Sequence, residues 1–181
     1  MNRWFLDQTR KGNVYHSHNT TAGAVTVLHA TCTGLVLENP YGSGKDLVVE
    51  SMSFVGSTLT TIREIGIAIS PAVSTVVSAT TTAAKSFNGK LDGDTANRPT
   101  GRTYSIATLS STPVWFCPIG NARDTGAVEG AEAFRKAFDG TLIVAPGMYV
   151  AFSTLTAAAT GLCSITWAEV DELNEEETFL L

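Results

Sequence analysis

The chain has 181 residues, of which 44% are hydrophobic and 16% are charged, and its formal net charge at pH 7 is −5. This length fits one globular domain, and the charged fraction lies well below the roughly 25% of an average soluble protein. No apolar run is long enough to span a bilayer as a helix, and the high apolar content excludes intrinsic disorder. The composition therefore predicts one soluble, β-rich domain with a neutral surface.

The excess acid is concentrated at the C-terminal end. Residues 169–181 contain six acids and no Lys or Arg, and removing these six from the 17 acids leaves 11 against 12 bases. A body with a net charge near +1 attracts phosphate groups only weakly, so we expect neither a nucleic-acid nor a membrane partner.

Residues 1–20 are mostly polar, and we predict an N-terminal arm that becomes ordered only by docking on something. Its apolar cluster consists of Trp4, Phe5 and Leu6. The segment lacks the apolar stretch of a signal peptide, so the sequon at Asn19 is interpreted as a chance match. His16 and His18 would lie on one face if this segment were extended.

Short β-branched runs separated by turn residues follow the arm. Residues 39–45, NPYGSGK, and the pair Pro146-Gly147 carry strong turn signals. A helical pattern is confined to residues 127–138, with Asp139-Gly140 at its end, and residues 82–103 are predicted to form an exposed loop or a projecting hairpin. The predicted strands cover residues 24–28, 34–38, 46–55, 62–69, 75–79, 104–109, 113–117, 141–145, 148–155 and 161–170.

This succession of short strands is typical of a β-sandwich or barrel, whereas a parallel sheet would need long helices between its strands. We predict an all-β fold, an antiparallel jelly-roll-like β-sandwich over residues 21–170. The extended arm of residues 1–20 precedes it, and an acidic C-terminal tail, residues 171–181, follows it.

Two motifs resemble ligand loops but lack their required residues. Gly42-Ser43-Gly44-Lys45 has Asn39 where a phosphate-binding loop needs Gly, and Asp46 where it needs Ser or Thr. Residues 92–97, DGDTAN, begin like a calcium loop but depart from its fifth, sixth and twelfth positions. Both are predicted to be turns.

Catalytic and metal-binding patterns are also missing. His16, His18 and His29 have no convergent partners, although a site on the symmetry axis of an oligomer stays open. Cys32, Cys117 and Cys163 are widely spaced and are interpreted as buried free thiols, with a disulfide between two of them left open. Isolated acids such as Glu50 and Glu64 fit solvent-facing strand positions. We therefore predict that the chain is not an enzyme and holds no metal and no cofactor.

Residues 39–49, NPYGSGKDLVV, and residues 138–151, FDGTLIVAPGMYVA, with a last strand ending in Trp167-Ala168-Glu169, resemble small structural proteins of tailed bacteriophages. The resemblance covers residues 39–55 and 138–169. It implies a virion component located on the capsid surface and assembled in the host cytoplasm, of the capsid decoration (cement) type. Such a protein has no catalytic residues and bridges neighbouring capsid subunits to stabilise the head.

A low-charge surface suits protein–protein contact, and homo-oligomers favour closed symmetry. We therefore expect a homotrimer that contacts the major capsid protein or other virion proteins through its two ends. The expected contact residues are Trp4, Phe5, Leu6, Phe179, Leu180 and Leu181. The alternative is a receptor- or carbohydrate-binding head module of a tail fibre or tail adaptor, with residues 82–103 at its tip.

Overall fold

The computed structural model describes residues 3–58, 63–92, 98–122 and 133–173. In these ranges the chain forms one helix, α1 (Arg3–Lys11), and twelve strands. The strands are β1 (Val14–His18), β2 (Gly23–Val25), β3 (Thr31–Glu38), β4 (Lys45–Thr58), β5 (Arg63–Ile69), β6 (Ser78–Ala83), β7 (Lys85–Asn88), β8 (Arg102–Leu109), β9 (Val114–Ala122), β10 (Ala133–Val144), β11 (Tyr149–Thr154) and β12 (Ala159–Asp171).

The strands form two antiparallel sheets. The front sheet has the order β10-β4-β12-β1-β7, with β2 paired to the start of β12, and the back sheet has the order β6-β8-β3-β11-β5-β9. Eight of these strands have the order of a jelly roll, β10-β4-β12-β1 in the front sheet and β3-β11-β5-β9 in the back sheet. The predicted antiparallel jelly-roll sandwich is confirmed.

The core lies between the two sheets because inward and outward side chains alternate along each strand. Trp167, Phe54 and Phe152 are fully buried in it, together with Leu35 and Ile65 from the back sheet. A second apolar cluster packs Val77, just before β6, against Val36 and Tyr104.

The two strongest turn signals form the predicted turns. In the 39–45 loop, Asn39 Nδ2 donates to the carbonyl oxygens of Lys45 (2.6 Å) and Val144 (2.8 Å). Ser43 Oγ donates to Asn39 Oδ1 over 2.6 Å. In the second turn Gly147 has a φ of 80°, and the Met148 N–H donates to the Ala145 carbonyl over 3.1 Å.

Every predicted strand overlaps an observed one, but the helical prediction over residues 127–138 is wrong where it can be compared. Residues 133–138 belong to β10, and residues 127–132 lie outside the described ranges. The four-residue spacing of Phe134 and Phe138 fits one face of a strand as well as one face of a helix, and pairing with β4 overrides local propensity. Asp139 and Gly140, predicted to end the helix, lie inside β10 at a break in its register with β4.

The segment 82–103 is also more regular than predicted. Its first half contains the end of β6 and all of β7, which pair with β8 and β1, and its end enters β8. Residues 93–97 lie outside the described ranges.

From Arg3 onward the predicted arm of residues 1–20 is built into the body, which corrects that expectation. Residues 14–18 form β1, which lies between β12 and β7 in the front sheet, and Val14 and Tyr15 are buried there. A five-residue strand is too short for its alternation to stand out in the sequence. At the other end β12 extends to Asp171, one residue into the predicted tail of residues 171–181.

Candidate functional site

A groove of about 780 Å³ crosses the outer face of the front sheet. Helix α1 forms one wall, and strands β1, β12, β4 and β10 form the floor. We call it the polar groove. Its wall is made by Phe5, Leu6 and Thr9, and its floor by Val14, His16, Glu50, Ser51, Ser53, Arg135, Ala137, Asp139, Ser164 and Thr166.

The α1 wall is held by one buried aromatic ring. Phe5 packs on Val14, Val48 and Ala168, whose side chains point away from the sandwich core because their strand neighbours point into it. The helix ends at Lys11 and is followed by Gly12, whose φ is 81°. The N–H groups of Gly12 and Asn13 close the last turn on the carbonyls of Thr9 and Gln8, at 2.9 and 3.0 Å.

Two cross-strand rows, made mostly of polar side chains, cross the front sheet next to this wall and supply much of the floor. The strand register aligns residues of five neighbouring strands in each row. The first row runs Phe87, His16, Thr166, Ser51 and Ala137, and the second runs Lys85, His18, Ser164, Ser53 and Arg135. The rows contain four hydroxyl groups, which donate and accept hydrogen bonds.

Bulges bring two carboxylates to the same groove. In the pairing of β4 with β12, Glu50 is the extra residue between Val49 and Ser51. In β10, residues 138–141 interrupt the register with β4. Asp139 lies in this interruption with a φ of 51°, and it is the only non-glycine residue in the described ranges whose φ is positive. Bulges of this kind re-aim side chains and are common next to functional sites.

The floor is held by hydrogen bonds and one ion pair. Arg135 Nη2 donates to Glu50 Oε1 (2.7 Å) and to Ser51 Oγ (3.2 Å), and Ser51 Oγ donates to the second Glu50 oxygen. His16 Nδ1 lies 3.0 Å from Thr166 Oγ1, and the hydroxyls of Ser53 and Ser164 are 2.6 Å apart. These contacts give the floor a fixed geometry.

Desolvation of His16 in the groove lowers the pKa of its imidazole, and the nearby Glu50 carboxylate raises it by a smaller amount. His16 is therefore a neutral imidazole at neutral pH, with one donor and one acceptor nitrogen.

The predicted contact residues lie in different environments. Phe5 is 7% exposed and belongs to the α1 wall, so its ring is not free to contact a partner. Trp4 is 39% exposed and meets the Phe5 ring edge-on, with centroids 4.8 Å apart. Leu6 is partly buried in the groove. Phe179, Leu180 and Leu181 lie outside the described residues.

His16 and His18 lie on one face of β1, as predicted, and this face points outward. His29 lies in another segment and accepts the Thr31 N–H over 3.0 Å. The described residues contain no group of three His, Cys, Asp or Glu side chains placed to hold a metal ion.

All three cysteines are free thiols. Cys32 and Cys163 are buried, as predicted, and Cys117 is partly exposed. Burial raises the pKa of the Cys32 thiol to about 11, and it also raises the pKa values of Cys163 and Cys117. A thiol whose pKa is raised has little nucleophilic thiolate.

The Asn19 side chain of the sequon is 5% exposed, and both its amide nitrogen and its amide oxygen form hydrogen bonds with the backbone of β12. Its Nδ2 donates to the Gly161 carbonyl (3.1 Å), and its Oδ1 accepts the Cys163 N–H (2.6 Å). This residue therefore stabilises the end of β1 instead of presenting an amide to solvent.

The sequence did not predict the polar groove or the burial of two carboxylates, Glu38 and Glu169. Glu64, predicted to face solvent, lies in β5 and accepts the Thr156 hydroxyl over 2.9 Å. The sequence signal for the groove is the pair of polar residues Ser164 and Thr166, two positions apart in β12. The residues that pair with them belong to strands far away in the sequence, so this signal did not predict a site.

No protein-family model, no curated protein and no solved structure matches this chain. In the described part of the chain, no helix combines the length and apolar character that crossing a membrane requires.

Proposed function

We propose that the chain is a non-enzymatic structural protein that self-associates as a homotrimer and decorates the capsid of a tailed bacteriophage, where it bridges neighbouring capsid subunits. The observation that carries the self-association is an exposed apolar strip along one side of the sandwich. The strip consists of Val114 and Phe116, which are two residues apart on β9 and are each 45% exposed. We call it the lateral strip.

The lateral strip lies where the edges of the two sheets meet. β9 is the edge of the back sheet and β10 is the edge of the front sheet. The Phe134 ring packs on Gly120, and the Phe116 ring lies 6.4 Å from that of Phe138, so the two edge strands run side by side. Sheet edges are natural sites of association because their backbone groups lack partners on one side.

A second copy of the chain is the occupant that we propose for this strip. Exposed apolar side chains at a sheet edge are unfavourable in water, and a closed ring of identical subunits buries them in every copy. The small net charge of the body keeps electrostatic repulsion between copies weak.

The capsid role is supported by the resemblance of residues 39–55 and 138–169 to virion proteins. It is also supported by the jelly-roll order of the strands, although this fold hosts many functions. For the bridging contacts we retain Trp4, which is exposed, and the 179–181 segment, whereas Phe5 is excluded by its burial.

Light scattering coupled to size exclusion tests the self-association. We expect the full chain to elute as a trimer and Phe116→Ser to elute as a monomer. The matched control is Leu155→Ser, because Leu155 is 48% exposed in the loop after β11. A monomeric wild-type chain at high micromolar concentration would contradict the proposal, as would a trimer that Phe116→Ser leaves intact.

The capsid role has a separate test, which is the copy number of the chain in purified virions measured by quantitative gel. Hundreds of copies per particle would support a capsid component. A few dozen copies or fewer would support a tail location, and absence from the particle would overturn the virion role.

A further inference from the structure

We infer that the polar groove is a binding site for a neutral oligosaccharide. This inference is independent of the trimer and of the capsid, because the groove is made by one chain and lies on the outer face of the front sheet.

The shape of the site suits a short linear ligand. Its volume of about 780 Å³ falls within the range of roughly 300–1,000 Å³ that is usual for ligand sites. Within the groove the first row crosses four strands, from β1 to β10, which at the usual strand spacing makes it about 14 Å long, and Phe87 continues the row onto β7. The α1 wall runs beside this row, so the floor is open at its ends rather than closed into a pocket.

The chemistry of the floor suits a ligand rich in hydroxyl groups. Arg135 donates hydrogen bonds, the Glu50 carboxylate accepts them, and the hydroxyls of Ser51, Ser164 and Thr166 can do either. Each hydroxyl of a sugar also needs both a donor and an acceptor. Hydrogen bonds to charged groups are stronger than those between neutral groups.

One end of the first row carries an aromatic platform. Phe87 pairs with His16 across β7 and β1, so it lies on the same sheet face as the groove floor, and it is 48% exposed. Its ring stacks on that of His18, with centroids 5.9 Å apart and an angle of 10° between the planes. This stacking holds a flat apolar surface toward solvent, on which the C–H face of a sugar ring can pack.

The charges of the groove favour a neutral ligand over an acidic one. The floor carries two carboxylates, Glu50 and Asp139, against the single guanidinium of Arg135, and the latter is already paired with Glu50. An acidic peptide, such as residues 172–177 of another copy, would be repelled by this arrangement. A neutral saccharide meets no such repulsion.

The test uses the full chain, fluorescently labelled, on an array of neutral and acidic glycans. The Kd of the neutral glycan that binds most tightly is then measured by calorimetry for the wild-type chain and for three variants. Ala137→Trp fills the groove with an indole at an exposed position, and Phe87→Ala removes the platform. Ala79→Trp is the matched control, because Ala79 is exposed on β6 of the other sheet.

We expect a neutral glycan to bind. Ala137→Trp and Phe87→Ala should each raise its Kd by about tenfold or more, whereas Ala79→Trp should leave the Kd unchanged. Unchanged thermal unfolding would show that the variants fold. Failure of every neutral glycan to bind at millimolar concentration would overturn the inference. Binding that both groove variants leave intact would overturn it as well, as would capture of peptides or acidic glycans alone.

Discussion

Glu169 accepts the indole N–H of Trp167 over 3.1 Å, two residues earlier on the same strand. The same carboxylate accepts the backbone N–H groups of Thr100 and Gly101, each over 2.9 Å. Glu169 is 7% exposed, so three donors replace the water that burial removes. This carboxylate therefore attaches the loop before β8 to the front sheet.

We predict that Glu169→Gln destabilises the fold by about 1–3 kcal/mol, because an amide offers one acceptor oxygen and turns an N–H₂ group toward a buried N–H donor. Urea unfolding of the two proteins measures the difference. Glu172→Gln, one residue beyond β12 and exposed, is the control and should unfold like the wild type. Equal stability of all three would show that the Glu169 contacts contribute nothing.

The 39–45 loop is predicted to depend on the Asn39 amide. Asn39 is fully buried, and its Nδ2 group donates to two carbonyl oxygens. Asn39→Asp would place an acceptor against both carbonyls, so we expect a loss of more than about 2 kcal/mol. Ser43→Ala removes the hydroxyl that donates to Asn39 and accepts the Lys45 N–H, and it should cost about 1 kcal/mol. If the two variants unfolded at the same urea concentration, this account of the loop would fail.

The stability of the fold is predicted to decrease in alkaline solution, in part through Cys32. Burial raises the pKa of this thiol from 9.0 to about 11, so the folded state keeps a proton that the unfolded state releases. The contribution is fully present below pH 9 and is lost as the pH rises to about 11. The whole shift corresponds to about 2–3 kcal/mol.

Urea unfolding under reducing conditions at pH 8 and at about pH 10 tests this prediction. Cys32→Ala should show a smaller loss of stability between the two pH values than the wild type. Other buried groups, among them Cys163 and Tyr149, also have raised pKa values, so part of the loss should remain in the variant. An identical loss in both proteins would exclude Cys32 as a contributor.

Local sequence signals predicted those parts of the fold that local chemistry specifies. Pro146-Gly147 forms its turn because proline restricts its own φ and glycine accepts the positive φ that follows. Strands such as β4 and β12 were found because their inward side chains alternate with outward ones over ten or more residues. β1 and β7 are short, so their alternation was indistinguishable from that of a polar segment.

The composition and turn chemistry of the sequence were enough to determine a neutral, antiparallel β-sandwich, because these properties act over a few residues at a time. Only the tertiary structure could decide that Phe5 is buried against the outer face of the front sheet and that residues 133–138 form part of β10 instead of a helix. It alone placed His16, Thr166 and Ser51 in one row, because these residues are far apart in the sequence. His16 and Thr166, for example, are separated by 150 positions. Such contacts depend on strand register, which forms when distant segments pair and is invisible in any short stretch of sequence.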